Sequence, residues 1–159
     1  FLITISQYNL PIMKELLYLK DEQIKDFIQL LFYAYRETFS DPKEILAKNS
    51  FGPAHLRALN LIERNPGTCL GELMYQLKIT KQSLNRVLRD LLSSKMIKQI
   101  KDDEDTRRKN LFLDKDGKVF FDKIYEIQKK RIVSALKNSE PESVIKFKEV
   151  LSKIINGKN

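Results

Sequence analysis

Two short apolar stripes separated by a three-residue connection constrain this chain more than anything else in it. Leu70, Leu73, Met74 and Leu77 recur at helical spacing; Lys78-Ile79-Thr80 follows; then come Leu84, Val87, Leu88, Leu91 and Leu92. The second set keeps the i, i+3, i+4, i+7, i+8 order of a helix with one buried side. Three residues allow only a tight turn, so the spacing predicts a helix-turn-helix. Thr68 is expected to cap the first helix and Thr80 the second, each hydroxyl accepting from an orphan backbone N–H. The face of the second helix opposite its leucines carries Lys81, Gln82, Asn85, Arg86 and Arg89. Such side chains can reach phosphates and base edges. From Lys78 to Lys101 there are seven Lys or Arg and one acid, Asp90. A basic outer face is also common on helices that merely meet solvent, so the neighbouring segments must decide.

Charge is distributed accordingly. The 159-residue chain has a formal net charge of +8. Residues 1–50 hold six basic and seven acidic side chains, 51–110 hold twelve and seven, and 111–159 hold eleven and seven. The excess lies outside the first third, as expected of a chain that meets a polyanion. One cysteine, Cys69, excludes an internal disulfide, and one histidine, His55, leaves too few ligands for a Cys/His zinc site. No metal or other cofactor is expected, and a reducing, cytoplasmic setting fits. Cys69 is expected to be a small core residue rather than a redox sensor. No apolar run approaches the roughly 20 residues needed to cross a bilayer. Neither H-E-x-x-H, a glycine-rich phosphate loop nor G-x-S-x-G is present, so an enzyme is not expected. His55 is expected to be structural.

Taken in order, residues 1–20 read as an N-terminal extension. They begin at Phe1 rather than methionine, lack charge as far as Ile12, and include Met13 as a candidate natural start. Residues 21–50 read as a dimerisation helix and linker. Ile24, Phe27, Ile28, Leu31, Phe32 and Tyr35 line one side of a helix running to about Phe39, capped by Asp21 and ended by Asp41-Pro42. Gly52-Pro53 opens the next helix, with Leu56, Leu59 and Ile62 or Leu61 inward and Arg64-Asn65-Pro66-Gly67 as its stop. After the helix-turn-helix, Met96 to Ile100 and Asn110 to Leu113 read as two strands around a polar loop, Lys101 to Lys109. A hairpin in that place makes residues 51–113 a winged helix.

Residues 114–159 read as C-terminal dimerisation helices. Asp114 and Gly117 mark the start of one with two apolar rows, Phe120, Ile124 and Ile127 beside Phe121, Tyr125, Ile132 and Leu136. Ser139-Glu140-Pro141-Glu142 reads as a capping box for the last, with Val144, Phe147, Leu151, Ile154 and Ile155 inward. The expected fold class is mainly α with a small β-wing, plus a helical dimerisation layer.

With these elements in place, the chain resembles the MarR family of transcriptional regulators, most strongly from about Phe51 to Phe121. L-G-E-L-M-Y-Q-L-K-I-T-K-Q-S-L-N-R-V-L-R-D-L is similar to the family's two helices, and D-E-D-T-R-R-K-N-L-F-L-D-K-D-G-K to its wing. F-G-P-A-H-L-R-A-L with R-N-P-G further resembles the PetP-like branch from alphaproteobacteria. The resemblance implies a homodimer on a pseudo-palindromic double-stranded operator, with the recognition helix in the major groove and the wing in the neighbouring minor groove. It implies regulation by repression, with room for a small aromatic or lipophilic effector. Thr80, Lys81, Gln82, Ser83, Asn85 and Arg86 fall on its DNA contacts, with Arg89 nearer the backbone. On the wing, Asp105 falls where an aspartate braces the minor-groove arginine, here Arg107, and Arg108 and Lys109 fall on phosphate partners. Lys95 replaces the usual glycine after the recognition helix, and Asp114 the usual threonine. The alternative is a winged-helix interaction module whose basic face meets an acidic protein. RNA fits less well, because its major groove is deep and narrow.

Overall fold

The computed structural model describes residues 18–105 and 107–157. The segment 1–17, with most of the expected N-terminal extension and Met13, lies outside the described residues. The chain divides into two compact units, one ending at Thr38 and the other beginning at Phe39.

The first unit holds most of helix α1 (Asp21–Ser40), whose end agrees with the sequence reading within a residue. Asp21 lies inside the first turn rather than before it, and Asp21 and Glu22 place negative charge at the positive end of the helix dipole. None of its residues is buried; Ile28, Leu30 and Phe32 are among its exposed side chains.

The second unit is built around the winged helix. Helix α2 (Lys43–Lys48), which the sequence pattern did not reveal, is short and buries Leu46. Asp41, just ahead of it, pairs with Arg131 through two bonds of 2.6 Å, and this holds the Asp41 carboxyl below its ordinary range. Helix α3 (Pro53–Arg64) starts on the expected Gly52-Pro53 and buries Leu56, Ala58, Leu59 and Ile62. Strand β1 (Thr68–Cys69), helix α4 (Leu70–Leu77) and helix α5 (Lys81–Ser93) follow. Strands β2 (Ile97–Lys101) and β3 (Lys109–Leu113) form the wing, and helices α6 (Lys115–Lys137) and α7 (Pro141–Asn156) complete the chain.

The sheet has three antiparallel strands in the order β1-β3-β2, where the sequence predicts two. Thr68 and Cys69 pair with Leu111 and Asn110, and Lys101 faces Lys109 at the tip end of the hairpin. Gly67, at φ 87, turns the chain so that its N–H donates to Leu111. Thr68 is therefore a buried strand residue and not a cap. The cap of α4 is Cys69, whose N–H donates to Glu72 while its side chain accepts from the Glu72 N–H. A half-buried Cys69 at that position corrects the expectation of a core thiol.

One core serves the whole winged helix. Leu56, Leu59 and Ile62 from α3, Leu73 from α4, and Leu84 and Leu91 from α5 are wholly buried with Leu111 and Ile124. Each such side chain contributes about 1.5–3 kcal/mol relative to exposure. Gly117 lets α6 start hard against the wing, since a Cβ there would lie 1.7 Å from the Met96 carbonyl oxygen. Asp114 caps α6 as expected, and its own N–H donates to that same carbonyl.

Two expectations for the C-terminal third fail. Ser139 does not open a capping box: its hydroxyl donates back to Ala135, and α7 begins from Glu140 with Pro141 fixing the first turn. The apolar face of α7 is not inward within one chain. No residue of α7 is buried, and Phe147, Ile154 and Ile155 are exposed, as are Tyr125, Ile132 and Leu136 of α6.

Candidate nucleic-acid interface

Helix α5 forms as its spacing requires. Leu84, Val87, Leu88 and Leu91 are buried, and Lys81, Gln82, Ser83, Asn85, Arg86 and Arg89 are exposed. Thr80 is its N-cap, accepting from the Ser83 N–H at 3.2 Å and donating to the Ser83 hydroxyl at 3.0 Å. The capping spends the Thr80 proton and leaves the Ser83 O–H free to donate outward.

The sole histidine contacts α5 from behind. His55 Nδ1 accepts from the Gly52 N–H at 3.0 Å, so its proton sits on Nε2, which faces Asp90 Oδ2 at 3.1 Å. The ring also stacks on Phe51, with centroids 5.0 Å apart, and Phe51 meets Phe120 edge-on. His55 thus joins the start of α3 to the only acid of α5, as a structural residue.

The wing tip is organised by Asp102, which sequence reasoning missed. Its carboxylate accepts from the Asn110 amide at 2.9 Å and from the backbone N–H groups of Glu104 and Asp105 at 3.0 and 3.1 Å. The Asn110 bond foremost, then the backbone bonds and the Arg108 charge, hold Asp102 below the ordinary carboxylate range. An aspartate bonding backbone two and three residues on is a turn signal that sequence can show. Here it is masked by four consecutive acids. Asp105 accepts from the backbone N–H of Arg107 at 3.0 Å, so any bracing acts on the Arg107 main chain. The Arg108 N–H donates to the Asp105 carbonyl and the Asp102 N–H to the Arg108 carbonyl, closing the loop.

Glu72 is a second residue missed. One of its oxygens accepts from the Thr68 hydroxyl and the Cys69 N–H, and the other from Arg108 Nη2 at 3.1 Å. The Cys69 bond, then Thr68, then the nearby Arg108 keep its carboxyl below the ordinary range. All three wing-tip bases, Arg107, Arg108 and Lys109, are exposed, and Arg108 is in addition engaged with α4 through Glu72. Between wing and recognition helix lies an open cleft of about 910 Å³. Leu70, Leu88, Leu92 and Leu111 line its apolar part, and Asn85, Arg89, Arg107, Arg108 and Lys109 supply polar groups from both elements. Among the described residues, no group of His, Cys, Asp and Glu side chains could hold a metal ion.

Residues 50–108 match the model of the MarR family. Over 141 residues the chain is 37% identical to the HTH-type transcriptional regulator PetP of Rhodobacter capsulatus, an alignment covering 89% of this chain and 85% of that protein. The chain belongs to the MarR family. It is a transcriptional regulator built on a DNA-binding winged helix. The fold agrees with a MarR-family regulator from Silicibacter pomeroyi, with a TM-score of 0.73 at 17% identity over 87% of this chain and 92% of that one. NadR, solved in complex with 4-hydroxyphenylacetate, has a TM-score of 0.68 at 22% identity over 78% of this chain and 88% of that one. Lys95 stands at φ 56, a left-handed backbone that glycine supplies more easily, and nothing in the structure explains the lysine there.

Proposed function

We propose that this MarR-family chain binds a pseudo-palindromic operator as a homodimer and represses transcription by occupying it, in the cytoplasm at the nucleoid. In this reading Lys81, Gln82, Ser83, Asn85 and Arg86 enter the major groove behind the Thr80 cap. Arg107 approaches the adjacent minor groove, and Arg89 and Lys109 meet the phosphates between. The observation that carries it is the cleft lined from both sides by Arg89, Arg107 and Lys109. A sugar-phosphate strand passing from one groove to the next is the polyanion such a cleft fits. The exposed apolar rows of α1, α6 and α7 support assembly with a second copy. The complex of NadR with an aromatic acid supports including a small aromatic or lipophilic effector in the proposal.

Mobility shifts on fragments selected from genomic DNA test this reading. Binding is expected to resist random duplex and to fall about 10³–10⁵-fold between roughly 50 and 200 mM salt, the range for ~6–10 phosphate contacts. Arg86→Ala should weaken specific binding by at least about 5- to 150-fold, the worth of one base contact, because a homodimer loses two. Arg107→Ala should weaken it with the fold intact by circular dichroism. Unchanged affinity in both variants, or equal affinity for random duplex, counts against the proposal. Repression is read separately, from a reporter behind a selected fragment.

A further inference from the structure

We propose that Glu72 is a positioning residue for the wing: it holds Arg108 as a tether between α4 and the wing loop, so that Arg107 and Lys109, and not Arg108, meet the DNA phosphates. The proposal rests on the DNA-binding reading above and assigns Arg108 a different task from the phosphate contact that family resemblance implies. Three observations carry it. Glu72 is fixed before it reaches Arg108, because Thr68 and Cys69 already hold one of its oxygens at 2.9 and 3.0 Å. Its second oxygen then meets Arg108 Nη2 at 3.1 Å across 36 residues of sequence. Arg108 is in turn the residue whose N–H and C=O close the loop onto Asp105 and Asp102, so a pull on its side chain is a pull on the loop. The lowered pKa of Glu72 agrees with a carboxylate kept charged at this junction.

Both side chains are about half exposed, at 46% and 48%, so the pair adds little to global stability. Its effect is geometric. Near its base the wing is joined to the rest of the winged helix by the pairing of β3 with β1, by the Met96 bonds to Leu91 and Asp114, and by Ile97 and Leu111 in the core. The Glu72–Arg108 pair adds an attachment near the tip, at the wall of the cleft that Arg107, Arg108 and Lys109 line. In this proposal it turns the Arg108 guanidinium toward α4 and leaves the other two for the strand.

The test uses the full chain with Glu72→Gln, Arg108→Gln and both together. Glutamine at 72 keeps an oxygen for Thr68 and Cys69 while removing the charge. In the free protein, hydrogen exchange of the Asp102 and Arg108 amides is expected to quicken equally in all three variants. Affinity for a selected duplex should fall about 2- to 5-fold in each single variant, the scale of an exposed ion pair. The double variant should be no weaker than either single one, since removing a tether twice has no further effect. The slope of log affinity against log salt should stay that of the parent. A slope shallower by about 1.8 in Arg108→Gln, about 0.9 for each of the two copies in the dimer, with Glu72→Gln unchanged or tighter, would make Arg108 a phosphate contact and overturn the proposal. Unaltered exchange in every variant would overturn it as well. If the parent itself binds no duplex, the DNA-binding reading fails, and the exchange measurement still reports whether the tether exists.

Discussion

Single residues at the joints of the winged helix carry conformational demands that composition hides. Lys95 holds a left-handed backbone, φ 56, directly after the recognition helix. That conformation costs a residue with a Cβ about 1–2 kcal/mol, partly offset in glycine by greater freedom when unfolded. Lys95→Gly is therefore expected to stabilise the chain by about 0.5–1 kcal/mol, read as a rise in the urea midpoint. Gly117 is the opposite case. Its missing Cβ leaves room for a backbone carbonyl, which cannot swing aside as a side-chain tip would. Gly117→Ala should lower stability by about 1–3 kcal/mol, the scale of overpacking, and loosen the base of the wing in hydrogen exchange. A midpoint unmoved by either substitution would show that the joint is softer than its geometry implies.

At the scale of elements, what could be read from sequence followed the length of each pattern. Helices α3, α5 and α6 were legible because several apolar residues repeat at one spacing and a cap or proline marks each start. Strand β1 was not, because two residues cannot display a period; its pairing depends on Leu111 and Asn110, more than forty positions away. The same holds for Thr68: a threonine ahead of a helix is a plausible cap, and only tertiary pairing moves the cap to Cys69. The exposed face of α5 was read correctly residue by residue. The tasks of Asp102 and Glu72 were not, since each is defined by partners brought near by folding. Asp102 also yields a prediction for the wing. Its carboxyl is depressed in the folded chain, so the support it lends is fully present above the unfolded value near 3.9 and is lost as pH falls through the lower folded value. Exchange of the Glu104 and Asp105 amides, corrected for intrinsic rates, should show protection that begins to weaken only below about pH 4 and is lost at the lower folded value. In Asp102→Ala, which removes the oxygen that both amides share, that protection should be weak at every pH; an undiminished pattern there would remove Asp102 from its role.

For the molecule as a whole, the apolar rows of α1 and α7 are the part of the sequence pattern that one chain does not resolve. Burying them takes a further surface, and the proposed homodimer supplies it. Phe147, 50% exposed on α7, is the natural probe. Phe147→Glu is expected to shift the protein toward monomer in sedimentation and to weaken operator binding at least tenfold, while the winged helix keeps its thermal transition. Unaltered sedimentation would exclude this face from the contact. The sheet carries a different consequence. With β3 in the middle, β2 has backbone groups along its outer side that no strand of the described residues covers. Bare hydrogen-bonding groups of that sort can template fibrous growth. Lys98 and Lys101 stand exposed along this rim, and a second β2 laid beside it would bring ammonium groups together. The same positive charge that suits a polyanion therefore also guards the wing against self-adhesion when the chain is crowded and no duplex is at hand.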